Sequence, residues 1–361
     1  MRFLTDQKEL ADAVSHATRI IGRDDPLIRI HTGEDTVTVN AAANGAWASS
    51  TVNAEILEPG AVTVNGLWFN VLTNAMPSGE TDVETGDTGM LSLHGGDTSL
   101  RMRVSPVDDP LEPADAPDHV LDVAADDWER LCRSVVHAAG NEPSRPILGA
   151  IRLTGDAGAG TLTATATNRY VVGERSIPLP GVTDGEWLIP CEWVKRNMKG
   201  VTGIGVTDRT FTVRTPRDTD TTVRLDGQYP NVDGLWWNAD GATASITVDR
   251  AQLASTAKML KSVCFDTRTS IIPLLLDEHQ GMLRVRYAGV GDDMDSTGAR
   301  MLSADMSGVP SLCVNADYLI NVLEAMDAER VTIRQTDAAQ TYVFDQDGDH
   351  VRQLVMRVQQ N

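Results

Sequence analysis

The lysines of this chain are few, and they recur on segments with the periodicity of amphipathic helices. There are only five, at positions 8, 195, 199, 258 and 261. Basic side chains on the polar face of a helix can bind DNA phosphates without reading the base sequence. On one helix they would be ordinary solvated charges, so the hypothesis rests on repetition. The residues that this pattern predicts to contact DNA are Arg130, Arg133, Lys195, Arg196, Lys199, Lys258 and Lys261.

The chain as a whole is acidic, with a formal net charge of −20 at pH 7. This balance argues against indiscriminate coating of nucleic acid, for which a generally basic surface is typical. Basic helices on an acidic body would instead make one positive surface. That surface is predicted to be patchy, because the helix at 66–76 has no charge and the last helix carries Asp317 and Glu324.

Helical projection places the apolar side chains of each predicted helix on one face. Trp128, Leu131 and Val135 are predicted to be buried on a helix that continues to about residue 139. His137 is predicted on the polar face of that helix, and His16 on the polar face of the first helix.

Two acidic segments are the candidates for metal chemistry. Asp292, Asp293 and Asp295 could bind a metal in a hydrolase, and the segment 345–349 resembles the start of a calcium loop. The second lacks the ligand spacing and the distal glutamate of a complete loop, which favours a solvated hairpin turn. The seven histidines show no metal-ligand spacing. We expect no enzyme, cofactor or metal site, and a metal-dependent hydrolase that uses the Asp-rich loops remains an alternative.

The elements that would position these residues recur three times along the chain. A β-branched residue at 64, 189 and 314 is followed by an aromatic residue at 68, 193 and 318, with an equal interval between copies. Each copy also has an earlier amphipathic helix and Thr- and Val-rich alternating segments. A repeat this long indicates a duplicated domain rather than a solenoid unit of about 20 to 50 residues. We predict an α+β fold with antiparallel sheets in three domains, 1–118, 119–243 and 244–361.

The composition predicts a cytoplasmic protein with no membrane partner. The charged start does not resemble a signal peptide, and no apolar run approaches the ~20 residues of a membrane span. Cys132, Cys191, Cys264 and Cys313 lie far apart in the sequence. They are expected to be buried free thiols rather than a disulfide framework or a zinc site.

Five short motifs occur in an informative order. They are RPILG at 145–149, ATATNRY at 164–170, DGQYP at 226–230, VNADYL at 314–319 and LVMRV at 354–358. In order and spacing they resemble the R-P-x-L-x-G, A-T-D-[GS]-[HY]-R-L, D-G-x-[FY]-P, F-N-x-x-Y-[LV] and M-P-[MV]-[RK]-L motifs of the bacterial DNA polymerase III beta subunit, the sliding clamp. A divergent member encoded by a bacterial virus is one hypothesis.

The resemblance implies three DNA-clamp domains, each with two helices facing a central channel and antiparallel sheets outside. It also implies that two protomers join head to tail into a ring. Geometry agrees with two protomers, since twelve helices about 10 Å wide leave a hole of ~28 Å whereas six leave only ~9 Å. Such a ring would encircle double-stranded DNA and act as a processivity factor for the polymerase. The resemblance adds Arg23, Asn141 and Arg145 to the residues expected to contact DNA. A structural or virion assembly protein with tandem repeats remains the second alternative.

The resemblance also implies a cleft that binds short linear motifs of the polymerase and the clamp loader. Extended peptides of this kind place apolar anchors in pockets, and a few polar groups fix their register. Departures at Ala166, at Gly234 and at the C-terminus put the client specificity of this cleft in doubt. The residues expected to line it are Ile147, Thr165, Thr167, Asn168, Arg169, Tyr170, Pro230, Leu235, Asn315, Tyr318, Leu354, Met356 and Val358.

Overall fold

A computed structural model describes residues 1–86, 89–113, 115–237, 241–263, 271–288, 298–337, 339–346 and 351–359. These residues form six α-helices: α1 (Gln7–Thr18), α2 (Gly66–Ala75), α3 (Ala125–Arg133), α4 (Cys191–Arg196), α5 (Arg250–Val263) and α6 (Ala316–Ala325). Each predicted domain contains two of them, as expected, and the domain boundaries themselves stay a prediction.

The strands, in chain order, are β1 (Arg2–Asp6), β2 (Leu27–Thr32), β3 (Thr36–Ala43), β4 (Ala46–Asn53), β5 (Glu55–Glu58), β6 (Ala61–Asn65), β7 (Glu80–Gly86), β8 (Met90–Gly95), β9 (Thr98–Ser105), β10 (Leu121–Asp122), β11 (Ala150–Asp156), β12 (Thr161–Thr167), β13 (Val171–Pro178), β14 (Gly185–Pro190), β15 (Gly203–Val206), β16 (Thr210–Arg214), β17 (Asp218–Val223), β18 (Ala244–Asp249), β19 (Pro273–His279), β20 (Met282–Tyr287), β21 (Ala299–Leu302), β22 (Ala304–Ser307), β23 (Ser311–Asn315), β24 (Arg330–Gln335), β25 (Thr341–Asp345) and β26 (Val351–Met356). Short 3₁₀ helices span Pro146–Gly149 and Asp233–Leu235.

The first compact unit comprises Met1–Ala125 and Lys199–Arg224. Its strands form one 13-stranded sheet in the order β10-β15-β16-β17-β4-β3-β2-β6-β9-β8-β7-β1-β5. Neighbouring strands are antiparallel, for example β17 with β4, where Asp220 is opposite Ala48. Alternation along β2 and β3 buries Ile28, Ile30 and Val39 in the same core as the apolar face of α1.

The second compact unit comprises Asp126–Met198 and Leu225–Asn361. It has a 9-stranded sheet in the order β14-β11-β12-β13-β26-β25-β24-β18-β22 and a 4-stranded sheet in the order β21-β20-β19-β23. Strands β13 and β26 are antiparallel neighbours, with Val172 opposite Leu354. This pairing brings the last strand of the chain beside the ATATNRY segment. The α+β fold with antiparallel sheets is therefore confirmed.

The repeated position at 65, 190 and 315 shows how local chemistry starts a helix. The side chains of Asn65 and Asn315 cap α2 and α6 by accepting hydrogen bonds from the backbone N–H groups of Trp68 at 3.1 Å and Asp317 at 3.3 Å. Pro190 occupies the middle copy and provides no side-chain acceptor. The helix that follows it, α4, is the shortest of the six described helices.

Two helices end earlier than the periodicity predicts. Helix α3 ends at Arg133, and tight turns follow, because the Ser134 hydroxyl donates to the Arg130 carbonyl at 2.8 Å and Val135 bonds back only three residues. Helix α4 ends at Arg196, so Lys199 lies beyond it rather than within it. The prediction that every lysine lies in a helix is wrong at Lys199.

Candidate nucleic-acid interface and peptide cleft

The basic side chains of α5 are engaged with the protein itself. Lys258 forms an ion pair with Glu324, and Lys261 forms one with Asp317, both on α6. Arg250 donates to the backbone carbonyls of Ala328 and Leu323. The two lysines remain partly exposed and can exchange partners with solvent ions.

The basic residues of α3 and α4 are also paired, though more locally. Lys195 donates to Glu192 at 2.7 Å, three residues earlier on the same helix. This hydrogen bond raises the pKa of Lys195 and lowers the pKa of Glu192. Arg130 lies 3.8 Å from Asp127. Arg196 is exposed in the last turn of α4.

Arg133 belongs to an ion-pair cluster with residues of the third repeat. Its guanidinium donates to Asp327 at 2.8 Å, and the other oxygen of Asp327 accepts from the buried Arg175. Arg175 also donates to the Ser134 hydroxyl at 3.1 Å. The side chain of Arg133, which was predicted to bind DNA, therefore already has a carboxylate partner within the protein.

Four candidate DNA contacts lie outside the helices. Arg23, Asn141, Arg145 and Lys199 are exposed in loops or turns. Arg23, Arg145 and Lys199 form no ion pair with any other described residue. Their charges are therefore available to an anion at lower cost than the paired charges of α5.

The two histidines predicted on polar helix faces differ in outcome: helix α3 ends before His137, so that prediction is wrong, whereas His16 lies in α1 and is largely covered by carboxylates. Because α3 stops before it, His137 turns inward, and neither ring nitrogen has a hydrogen-bond partner among the described residues. Burial lowers its pKa to about 4, and the nearby Gln353 side chain opposes this shift only in part. His16 lies between Asp218 at 3.5 Å and Asp220 at 3.1 Å, on strand β17 of the same unit.

The ATATNRY segment forms the β12–β13 hairpin turn. The side chain of Asn168 accepts from the backbone N–H groups of Tyr170 at 3.0 Å and Val171 at 2.9 Å, which closes an Asx turn. Arg169 adopts a φ of 81°, a left-handed conformation held by these bonds. Thr165 and Thr167 are buried within the strand pairing, whereas Arg169 and Tyr170 are exposed at the tip.

The turn lies beside α6 and the last strand. Tyr170 and Tyr318 stack with ring centroids 6.0 Å apart and planes 16° from parallel. The Tyr170 carbonyl accepts from the Met356 N–H at 2.8 Å, and the Cys313 carbonyl accepts from the Val358 N–H at 2.9 Å. The structure therefore brings the residues from 168–170, 315–318 and 354–358 together in the second unit, as the resemblance implied.

The remaining predicted cleft residues divide into packed and exposed positions. Ile147 packs against the cluster of Ala150, Leu188 and Tyr229, and Pro230 follows Tyr229 directly. The Tyr229 hydroxyl accepts from the Thr167 N–H at 3.0 Å, and burial raises the pKa of this tyrosine to about 12. Leu354 is buried with Val172 and Val232, and Asn315 is buried as the cap of α6. Leu235 and Met356 are exposed.

Sequence reasoning missed one group at the edge of this cleft. The Arg352 guanidinium lies 4.2 Å from the ring centroid of Trp236 and also forms an ion pair with Glu174. Trp236 in turn packs on the cluster that contains Leu354. In the sequence, two consecutive tryptophans at 236 and 237 in a polar segment are the feature that could have indicated this group.

No metal centre occurs among the described residues, which contain no group of three His, Cys, Asp or Glu side chains placed to hold one. Asp292, Asp293 and Asp295, and most of 345–349, lie outside them. Cys132, Cys191 and Cys313 are buried free thiols as predicted, and Cys264 also lies outside the described residues. Burial raises the pKa of Cys191 to about 11. In the part of the chain that the structure describes, the helices are too short or too polar to cross a bilayer.

The chain is similar to bacterial sliding clamps along nearly its whole length. A beta sliding clamp of Streptomyces coelicolor is 22% identical over 349 residues, which cover 91% of this chain and 89% of the relative. The DNA polymerase sliding clamp of Bacillus subtilis superposes with a TM-score of 0.88 at 15% identity and covers all of both chains. The DNA polymerase III subunit beta of Pseudomonas aeruginosa gives 0.86 at 17% identity, over 99% of this chain and 100% of that one. No family model matches. The resemblance and the sliding-clamp fold expected from the sequence are confirmed.

Proposed function

We propose that this chain is a DNA polymerase sliding clamp, a non-catalytic processivity factor that acts in DNA replication in the cytoplasm. The observation that carries the proposal is the agreement of the whole fold with sliding clamps, joined to five motifs in the order of that family. The role needs no catalytic group, because the subunit holds a polymerase near DNA and leaves the chemistry to it.

Among the predicted contacts, the DNA contact is assigned to three exposed cations that have no carboxylate partner among the described residues, Arg23, Arg145 and Lys199, with Asn141 four residues before Arg145. The paired residues of α3, α4 and α5 contribute less, since a phosphate must compete with a carboxylate for each of them. Phosphate contacts of this kind carry no base specificity. They suit a protein that must move along any sequence.

Encirclement requires a second copy of the chain, and we assign the contact to a head-to-tail homodimer of three-domain protomers. Two surfaces offer apolar area for it. On α2, Trp68 is 64% exposed and Val71 is 56% exposed, at a shallow cavity of about 440 Å³ that Arg23 also lines. Met259, Val263 and Ile271 are exposed on the second unit. Exposed aromatic side chains at such positions are typical anchors of protein interfaces.

The cleft around Tyr170, Tyr318, Leu235 and Met356 is assigned to short linear motifs of the polymerase and the clamp loader. These four side chains are exposed or partly exposed, and they present apolar area to a peptide backbone. The buried residues Thr165, Thr167 and Leu354 support them from below. The partners could be bacterial proteins or, if a bacterial virus encodes the chain, viral ones. Comparing its affinity for peptides of the host polymerase with its affinity for peptides of a viral polymerase would distinguish these two sets.

The test uses topological trapping on linear DNA, which requires no loader. Light scattering over a dilution series first establishes whether two 39.0 kDa chains associate. The protein is then threaded onto a long duplex with biotin at both ends, and streptavidin is added to block the ends. We expect protein to remain on the blocked DNA through gel filtration at raised salt, and to be lost when a restriction enzyme cuts the duplex.

Three outcomes would contradict the proposal. Equal loss from blocked and cut DNA would exclude encirclement. A strict monomer would reduce the protein to a clamp-like binding module, and a large polydisperse assembly would favour the structural-protein alternative. Retention that chelator abolishes would favour the metal-dependent alternative.

A further inference from the structure

Helices α5 and α6 present a surface on which opposite charges face each other in register. Lys258 pairs with Glu324, and Lys261, one turn later on α5, pairs with Asp317, two turns earlier on α6. The helices therefore run antiparallel along this contact. The two pairs lie one after the other along the contact between the helices. Together they neutralise the charges of both lysines in the third repeat.

These pairs contribute little to folding. All four side chains are between 40% and 55% exposed, and ion pairs at that exposure add almost nothing to stability. Their effect on an approaching polyanion is larger. The condensed counterions that binding releases belong to the DNA, and a lysine already neutralised by a carboxylate displaces few of them from a phosphate. If the lysine did turn to the phosphate, the uncovered carboxylate would repel the DNA.

We propose that Asp317 and Glu324 act as internal competitors of DNA phosphates, holding Lys261 and Lys258 so that the third repeat contributes almost no net attraction to DNA. This inference rests on the proposed function and defines the electrostatics of its DNA-contact surface. A weak contact in this repeat lowers the barrier to sliding, while the rest of the affinity depends on Arg23, Arg145 and Lys199.

The test measures the salt dependence of binding for D317N/E324Q and for the wild type, with the intact protein and a fluorescent linear duplex with open ends. Each lysine set free should steepen the plot of log affinity against log salt by up to about 0.9, or about 1.8 per chain. The variant should bind more tightly at 50 mM salt, and its advantage should shrink by up to about tenfold by 200 mM for each chain that contacts the duplex. An unchanged slope would overturn the proposal.

A double-mutant cycle tests whether the two lysines carry the gain, and the Asp305 variant below tests the effect of general loss of negative charge. K258Q/K261Q in the wild type should weaken binding, because it leaves Asp317 and Glu324 uncovered to repel the DNA. The same change in the D317N/E324Q background should remove the whole gain. The quadruple variant has the net charge of the wild type, so a gain that survives in it would come from losing the carboxylates and not from freeing the lysines, which would overturn the proposal.

The matched control is Asp305→Asn on the sheet of the same unit. Asp305 on β22 pairs with Arg330 on β24 at 2.6 Å, across the intervening strand β18. Like E324Q alone, this variant removes one negative charge and releases one cation. It should leave the salt slope unchanged.

If D317N/E324Q folds poorly, E324Q alone still tests Lys258, since Glu324 lies in the last turn of α6, where a negative charge is unfavourable. Trapping of the wild type on end-blocked DNA tests the proposed function separately, so the two failures are distinguishable.

Discussion

The ring of Tyr170 stacks on the ring of Tyr318, with centroids 6.0 Å apart, and joins the β12–β13 turn to helix α6. Both residues belong to segments that resemble family motifs, but at position 170 the family motif has leucine. The stack therefore gives this cleft an aromatic wall. It also partly buries Tyr318, and this burial raises the pKa of its hydroxyl.

The first prediction concerns this aromatic wall. Tyr318→Ala should weaken binding of a fluorescent client peptide about 5- to 10-fold, because it removes both the stacking partner and the apolar area, about 1 to 1.5 kcal/mol. Tyr170→Leu should shift preference toward peptides that bind clamps with leucine at this position. Fluorescence anisotropy measures both, with Val309→Ala at an exposed site as the control. Equal affinity for Tyr318→Ala and wild type would place the peptide elsewhere.

The second prediction concerns the carboxylate of Asp327. Asp327→Ala should lower the free energy of unfolding of the second unit by about 1.5 to 3 kcal/mol, since it removes a charged hydrogen bond to the buried Arg175. Arg133→Ala removes only the more exposed partner of the same carboxylate and should cost less than about 1 kcal/mol. Urea unfolding followed by fluorescence gives both values. Equal losses of unfolding free energy in the two variants would show that the hydrogen bond between Asp327 and the buried Arg175 adds nothing beyond the exposed pair with Arg133.

The third prediction follows from the buried His137. Its folded pKa of about 4 lies below the ordinary value of 6.5, so the unfolded chain binds more protons between these limits. Stability is fully present above pH 6.5 and falls as the pH falls toward 4. Between pH 7 and pH 5 the loss from this residue should be about 2 kcal/mol.

The test for His137 compares urea unfolding of the wild type and His137→Gln at pH 7 and pH 5. From pH 7 to pH 5 the unfolding free energy of the variant should fall by about 2 kcal/mol less than that of the wild type, even if the variant is less stable at pH 7. His119→Gln changes an exposed histidine and should leave the pH dependence of the wild type intact. A variant with the same pH dependence as the wild type would show that His137 is accessible to protons in the folded state.

The fourth prediction concerns the loop cations. Charge reversal at Arg23 and Lys199 should shorten residence on end-blocked DNA by about tenfold or more without changing the melting temperature, because both side chains are exposed. Arg209→Glu reverses one charge at an exposed turn between β15 and β16 and serves as the control for each single reversal, R23E and K199E. Unchanged residence of the R23E/K199E protein would remove these residues from the DNA contact.

Local patterns in the sequence were sufficient for the repeats, the helix faces and the antiparallel α+β class. Leu10, Val14 and Ala17 are buried on one face of α1, as the 3.6-residue period requires. The asparagines at 65 and 315 cap helices because a side-chain acceptor next to free N–H groups acts within a few residues. Such features depend on neighbours in the chain, and so a single sequence reveals them.

Only the tertiary structure decided which charges are free and which residues are buried. The equivalent aromatic residues Trp68 and Trp193 are 64% and 2% exposed, although their sequence positions match. Lys258 and Lys261 look like phosphate ligands on a helical projection, yet carboxylates more than 50 residues away hold them. Burial and ion pairing depend on segments far apart in sequence, and local periodicity carries no information about the opposing surface.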